Sequence, residues 1–180
     1  MYGCPHNTCA FCGAYRDKPF GLKPEAVLAA DLDFFAAHGR RQRRVFLCDG
    51  DALAMPLDRL LRLLAAIRER LPWVTRISSY ASGESLARRG DADLVALRRA
   101  GLFRLYVGLE SGDDATLAAM GKAMDTAGIV AGCRRARQAG FSVSVTVLLG
   151  LAGPGRSAVH GDLRVSWPGG RYGDRLTDPA

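Results

Sequence analysis

The sequence predicts an α/β fold in which short strands and amphipathic helices alternate as βα units around a parallel sheet. Three observations predict it. Four short apolar runs recur roughly 30–40 residues apart, with helical patterns between them. Each helical pattern stops at Gly or Pro: Gly39, Pro72, Gly101 and Gly140. Each apolar run closes in polar residues or glycine, "CDGD", "SSYAS", "LESGDD" and "LGLAG". Parallel α/β sheets carry their sites at the C-terminal ends of their strands.

The elements follow in order. "PEAVLAADLDFFAAHG" places Val27, Leu28, Leu32 and Phe35 at helical spacing, with Pro24 near the start. "RVFLCDGD" is the first strand and its polar end. "LDRLLRLLAAIRERL" is a second amphipathic helix, and "VTRISSYAS" is the second strand. "DADLVALRRAG" is a helix for which Asp91 is the expected N-cap. "FRLYVGLESG" is the third strand; Asp113 and Asp114 cap the helix that follows it. "TAGIVAGCRRARQAG" and "FSVSVTVLLGLAG" supply the next helix and the fourth strand.

The ends depart from this pattern. Four strands do not close a barrel, and only Met1, Tyr2 and Gly3 precede a loop of cysteines that should leave a strand. After about residue 155 the periodicity vanishes into Gly, Arg, Asp and Pro. The expected layout is therefore a partial domain over 1–155, with a cysteine loop at 3–18 and βα units at 22–155. An irregular tail, disordered or out of frame, covers 156–180.

Composition narrows the function. Apolar residues make up 48 % of 180, enough for a core, and the longest apolar runs are too short to cross a bilayer. No secretory signal pattern opens the chain, so a cytoplasmic protein with reduced thiols is expected. Net charge is +7, and "RRQRR" at 40–44 is the densest basic run. Lacking a stripe of interleaved aromatics, it is expected to be a solvated turn, and no nucleic-acid partner is expected.

The strongest chemical signal is "GCPHNTCAFCGAY", with Cys4, Cys9 and Cys12 spaced C-x4-C-x2-C. Thiolates are soft ligands, suited to zinc or iron–sulfur centres. A disulfide leaves one cysteine over. Zinc needs a fourth ligand, for which His6 or Cys48 stands near. A 4Fe–4S cluster on three cysteines leaves one iron open to a small molecule. Cys48 and Cys133 suit structural roles as small buried thiols, and Met120 and Met124 suit the core.

With its aromatic Phe11 before the last cysteine, this loop resembles that of the radical S-adenosylmethionine (radical SAM) superfamily. There the commonest spacing is C-x3-C-x2-C, so this chain has one more residue in the first gap. The resemblance extends over residues 3 to about 153. It implies a partial parallel (βα) barrel, incomplete at both ends, that binds a 4Fe–4S cluster and S-adenosylmethionine (SAM). It also implies a flavodoxin- or ferredoxin-like electron donor and a substrate these residues do not identify. Asp49, Gly50 and Asp51 of "DGDAL" correspond to a glycine–glycine–acid motif that receives the SAM amino group, with Asp in place of the first Gly. Ser79 is matched to the methionine carboxylate or the substrate. Glu110, assisted by Ser111, is matched to the ribose hydroxyls, and the backbone at Leu149 and Gly150 to adenine. Lys122 could meet an anion but is expected to be an exposed lysine.

Overall fold

In the computed structural model, residues 1–153 are described; the 156–180 tail lies outside them. Helix α1 (Glu25–His38) runs from Pro24 to Gly39, whose amide donates to the Phe35 carbonyl at 2.7 Å. Leu32 and Phe35 lean on the core, but no α1 residue is fully buried and Val27 is exposed, so the expected stripe is covered only in part. Strand β1 (Arg44–Leu47) leads through a short 3-10 turn (Ala52–Ala54) into α2 (Leu57–Arg70). Leu60, Leu64 and Ile67 share one face of α2 and are no more than 1 % exposed. Each contributes about 1.5–3 kcal/mol over an exposed side chain.

Strand β2 (Arg76–Ala81) is followed by α3 (Gly83–Arg88), a helix that the apolar periodicity does not show. Its signal is a reciprocal cap: Ser85 N donates to Ser82 Oγ at 3.0 Å and Ser82 N to Ser85 Oγ at 3.2 Å. Helix α4 (Asp91–Arg99) starts at the residue expected as its cap. Gly90 is the capping residue, its amide donates to Asp93 at 3.2 Å, and Asp91 pairs instead with Arg135 at 2.7 Å. Strand β3 (Leu102–Glu110) precedes α5 (Asp114–Ala119), which Asp113 caps by accepting from Thr116 N. Helix α6 (Thr126–Gln138) and β4 (Ser142–Val147) complete the described chain.

All four strands are parallel, in the order β1-β2-β3-β4. Pleating divides their residues between two faces. Val45, Ile77, Leu105, Val107 and Val143 point to the side that carries the buried leucines of α2 and α4 and Ile129, Cys133 and Ala136 of α6. Phe46, Ser78, Tyr80, Arg104 and Tyr106 alternate with them and occupy the opposite, inner face. The "RRQRR" run forms the expected solvated turn: Arg40 lies 5.5 Å over the Trp73 ring and Arg43 donates to the Trp73 carbonyl. Cys133 is buried as expected, but Cys48, just past β1, is exposed. Among the described residues no helix is long and apolar enough to cross a membrane.

Candidate functional site

The cysteine loop lies against the C-terminal ends of the strands. Tyr2 and Gly21 close its base through two backbone bonds of 2.8 and 3.1 Å. Arg16 donates to the carbonyls of Ala10 and Cys12, and Asn7 to that of Tyr15. Ala10 N donates to the Met120 carbonyl at 2.9 Å, fastening the loop to the turn between α5 and α6. His6 adds two links: Nε2 lies 2.7 Å from the Gly121 carbonyl and Nδ1 lies 3.5 Å from Glu84.

Cys4, Cys9 and Cys12 are free and half-buried, and Phe11 is half-buried between the last two. Burial pushes the Cys9 thiol up; Lys122 pulls it down, while Cys4, Cys12 and Glu110 push it up. These groups therefore share one electrostatic neighbourhood. Among the described residues, no three His, Cys, Asp or Glu side chains converge closely enough to hold a metal ion.

The strand-end motif after β1 divides its labour. Asp49 accepts from Gly3 N at 2.9 Å and from Lys18 Nζ at 2.5 Å, and the Lys18 bond holds its carboxyl below the usual range. Gly50 is where the cysteine loop comes closest: a Cβ there would lie 2.7 Å from Cys4 Cβ and 3.0 Å from its Sγ. Asp51 faces inward and is 1 % exposed. Its carboxylate accepts from Leu53 N, Ser82 N, Ser82 Oγ and Ser85 Oγ. The expected amino-group acceptor is thus the tie that fixes the head of α3 to the loop after β1.

Ser79 is also turned away from the rim. It pairs with Leu47 and Leu105 on the helix-facing side, is fully buried, and donates to the Tyr80 carbonyl at 2.6 Å. A hydroxyl there cannot face a ligand in the concave side of the sheet. Ser111 is fully buried too, and its Oγ accepts from Asp113 N at 3.1 Å, shaping the entry to α5.

Glu110 stays at the rim. It ends β3 with a φ of 69°, and its side chain folds back over Gly108, where a Cβ would overlap Oε1. Lys122 Nζ donates to the Gly108 carbonyl at 3.1 Å and lies 3.9 Å from Glu110 Oε1. The two side chains are 15 % and 13 % exposed. Burial pushes the Glu110 carboxyl up and Lys122 opposes it. The expectation of an exposed Lys122 fails because the turn at Gly121, held by His6 and Ala10, brings the lysine in over the sheet. Leu149 and Gly150 lie beyond the end of β4, in a turn rather than on a strand, and Leu149 is 88 % exposed.

A family model described as the Radical SAM superfamily matches residues 1–162. The chain belongs to the radical SAM superfamily. Solved radical SAM structures share its fold. OxsB, a cobalamin-dependent S-adenosylmethionine radical enzyme, is 18 % identical over 82 % of this chain and 22 % of its own, with a TM-score of 0.65. Methylornithine synthase (PylB) is 20 % identical over 88 % of this chain and 45 % of its own, also at 0.65. Coproporphyrinogen III oxidase (HemN) from Escherichia coli is 19 % identical over 82 % and 36 %, at 0.61. This radical SAM chain therefore spans less than half the length of each. No curated protein matches it.

On this radical SAM sheet, the structure gathers Cys4, Cys9, Cys12, Asp49, Gly50, Glu110 and Lys122 at one rim. It withdraws Asp51, Ser79 and Ser111 into the fold. Lys122, expected at the surface, joins this rim; the glycine before it in the sequence is the one local sign of the sharp turn, and Gly121 has a φ of 71°.

Proposed function

We propose that this chain is the cofactor-binding part of a radical SAM enzyme, with Cys4, Cys9 and Cys12 as ligands of a 4Fe–4S cluster whose open iron takes SAM. When bound, cluster and SAM supply reductive cleavage of the S–C5′ bond, giving methionine and a 5′-deoxyadenosyl radical that takes hydrogen from a substrate. Three thiolates from one loop suit a cluster with one open position, because each would ligate a different iron and they need not converge on a single ion. The observation that carries the proposal is the shared rim: the cysteine loop sets Cys4 against Gly50 and its Ala10 amide on the Met120 carbonyl at 2.9 Å, two residues from Lys122, which lies 3.9 Å from Glu110.

This chain's own residues bind and orient. Backbone carbonyls beside Gly50, with Asp49, receive the SAM amino group. Lys122 offers a cation to the carboxylate. Glu110, kept close to Lys122, accepts from the ribose hydroxyls. The backbone at Leu149 and Gly150 meets the adenine. The electron comes from a flavodoxin- or ferredoxin-like donor in the cytoplasm. The engaged nitrogens of His6 argue against the other reading, a zinc site closed by that residue.

Anaerobic reconstitution tests the reading: about four irons and four sulfides per chain are expected. Dithionite and SAM should then yield 5′-deoxyadenosine. Stoichiometric zinc that His6→Ala releases would replace this reading with a zinc-binding domain.

A further inference from the structure

The inner face of the sheet is built unlike a covered face. Phe46, Tyr80 and Tyr106 meet there from three strands, with ring centroids 4.8, 5.5 and 6.3 Å apart in tilted and edge-on contacts. Phe46 is 38 % and Tyr80 44 % exposed. One layer below Tyr80 and Tyr106, in register with Phe46, Ser78 and Ser142, stands Arg104. Its guanidinium lies 6.0 Å from the Tyr106 ring, and Nε donates to Ser142 Oγ at 3.1 Å. Among the described residues no carboxylate stands within ion-pair distance of Arg104. Ser144, beside Tyr106, completes a small polar margin. Beyond the rings, at the C-terminal end of β1, the cysteine loop packs against Gly50, whose amide donates to the Gly3 carbonyl at 3.1 Å, so the face leads toward the cysteine loop.

We infer that this face is the substrate site, and that it takes a planar, π-bearing molecule with a carboxylate or phosphate group. The rings of Phe46, Tyr80 and Tyr106 offer a corner of faces and edges against which a flat ring gains more than its buried area. Arg104 is held by a hydroxyl and a ring, which leave its remaining N–H groups to pair with an anion. Tyr80 and Tyr106 lie between Arg104 and the rim. A ligand anchored there by its anion therefore extends along the sheet toward Glu110 and the cysteine loop. The inference rests on the reading of the rim as the SAM site, but its test does not.

The test is equilibrium binding of 2-naphthoate to the full chain, without added SAM, followed by ligand-observed NMR. Cyclohexanecarboxylate keeps the charge and loses the planar ring; 2-naphthalenemethanol keeps the ring and loses the charge. The expected result is that naphthoate binds, and that both analogues bind at least about tenfold more weakly. Tyr80→Leu, at a half-exposed side chain, and Arg104→Gln should each weaken naphthoate by about tenfold, and Arg104→Lys should restore part of the loss. Equal binding of cyclohexanecarboxylate, unchanged affinity in both variants, or competitive displacement of naphthoate by SAM would each overturn the inference. Iron content on the same preparations separates the two readings. Absence of naphthoate binding with the cluster intact rejects the substrate site alone; protein that binds naphthoate but takes up no iron on reconstitution rejects the cluster and SAM reading, and leaves a ligand-binding face with no assigned reaction.

Discussion

The two faces of this one sheet are made by alternate residues of the same four strands, yet they are different materials. On the helix side Leu102, Leu105 and Val107 are fully buried beneath α4 and α6. On the inner side their neighbours Arg104, Tyr106 and Gly108 are half-buried, among hydroxyls and rings. Parallel strands covered on both faces read as near-continuous hydrophobic runs. Alternation of this kind marks a sheet with one packed face and one open one, and it makes the helix side carry the stability. The largest expected effect follows: Leu105→Ala costs about 2–5 kcal/mol by loss of contacts and a cavity. Tyr80→Leu, on the inner face, stays within about 1 kcal/mol. Urea denaturation of both variants checks the contrast, and similar losses from the two would break it.

The rim repeats the contrast within one motif. Asp49 and Asp51 are two residues apart, but one is tied to the cysteine loop and the other is sealed inside. Asp51→Ala removes the acceptor of two hydroxyls and two amides; Ser82 N and Ser85 Oγ keep other acceptors, but Leu53 N and Ser82 Oγ do not, and the change should cost about 3 kcal/mol, since each buried unpaired group costs about 1–3 kcal/mol. Asp49→Ala, losing bonds at the surface of the loop, should cost under about 1 kcal/mol. Thermal unfolding of the two variants measures the difference.

This motif also shows what the sequence could and could not disclose. The βα alternation, the parallel order and the cysteine loop follow from periodicity, glycine stops and spacing, because those signals are local. Which acid of "DGD" faces the rim depends on Ser82 and Ser85, which lie about thirty residues away. The pairing of Ser79 with Leu47 and Leu105 depends on register, which no single strand reveals. Helix α3 was hidden because it is short and begins with a Ser–Ser cap instead of an apolar stripe. Lys122 looked like a surface lysine until the Gly121 turn and the cysteine loop were seen to enclose it.

A third, smaller effect sharpens the description of the helix side as dry. Burial pushes the Cys133 thiol from 9.0 up to about 11. Between those values the unfolded thiol has lost its proton and the folded one keeps it. Folding then binds more protons, and stability falls as pH rises, by about 2–3 kcal/mol at pH 11. Below pH 9 this contribution is constant. Chemical denaturation in reductant across pH 8–11, compared with Cys133→Ala, isolates the thiol from other titrating groups, and parallel curves would mean that α6 admits water.

The smallest effect belongs to the inner rim. Burial raises the Glu110 carboxyl, and Lys122, 3.9 Å away, is the group that lowers it. Lys122→Gln removes that opposition and leaves the burial, so the Glu110 midpoint should move further up. Because the raised pKa means the charged form is disfavoured by folding, the variant should lose stability as pH rises through the carboxylate range, more than the parent does. Carbon-13 carboxyl titration of metal-free protein reads the midpoint directly, and Asp114, an exposed carboxylate held low by Thr126, serves as the internal control. A Glu110 midpoint unmoved by the substitution would mean that water, not the lysine, screens this carboxylate. The inner rim would then be as wet as the outer surface, and the difference between the two faces would end below Gly108.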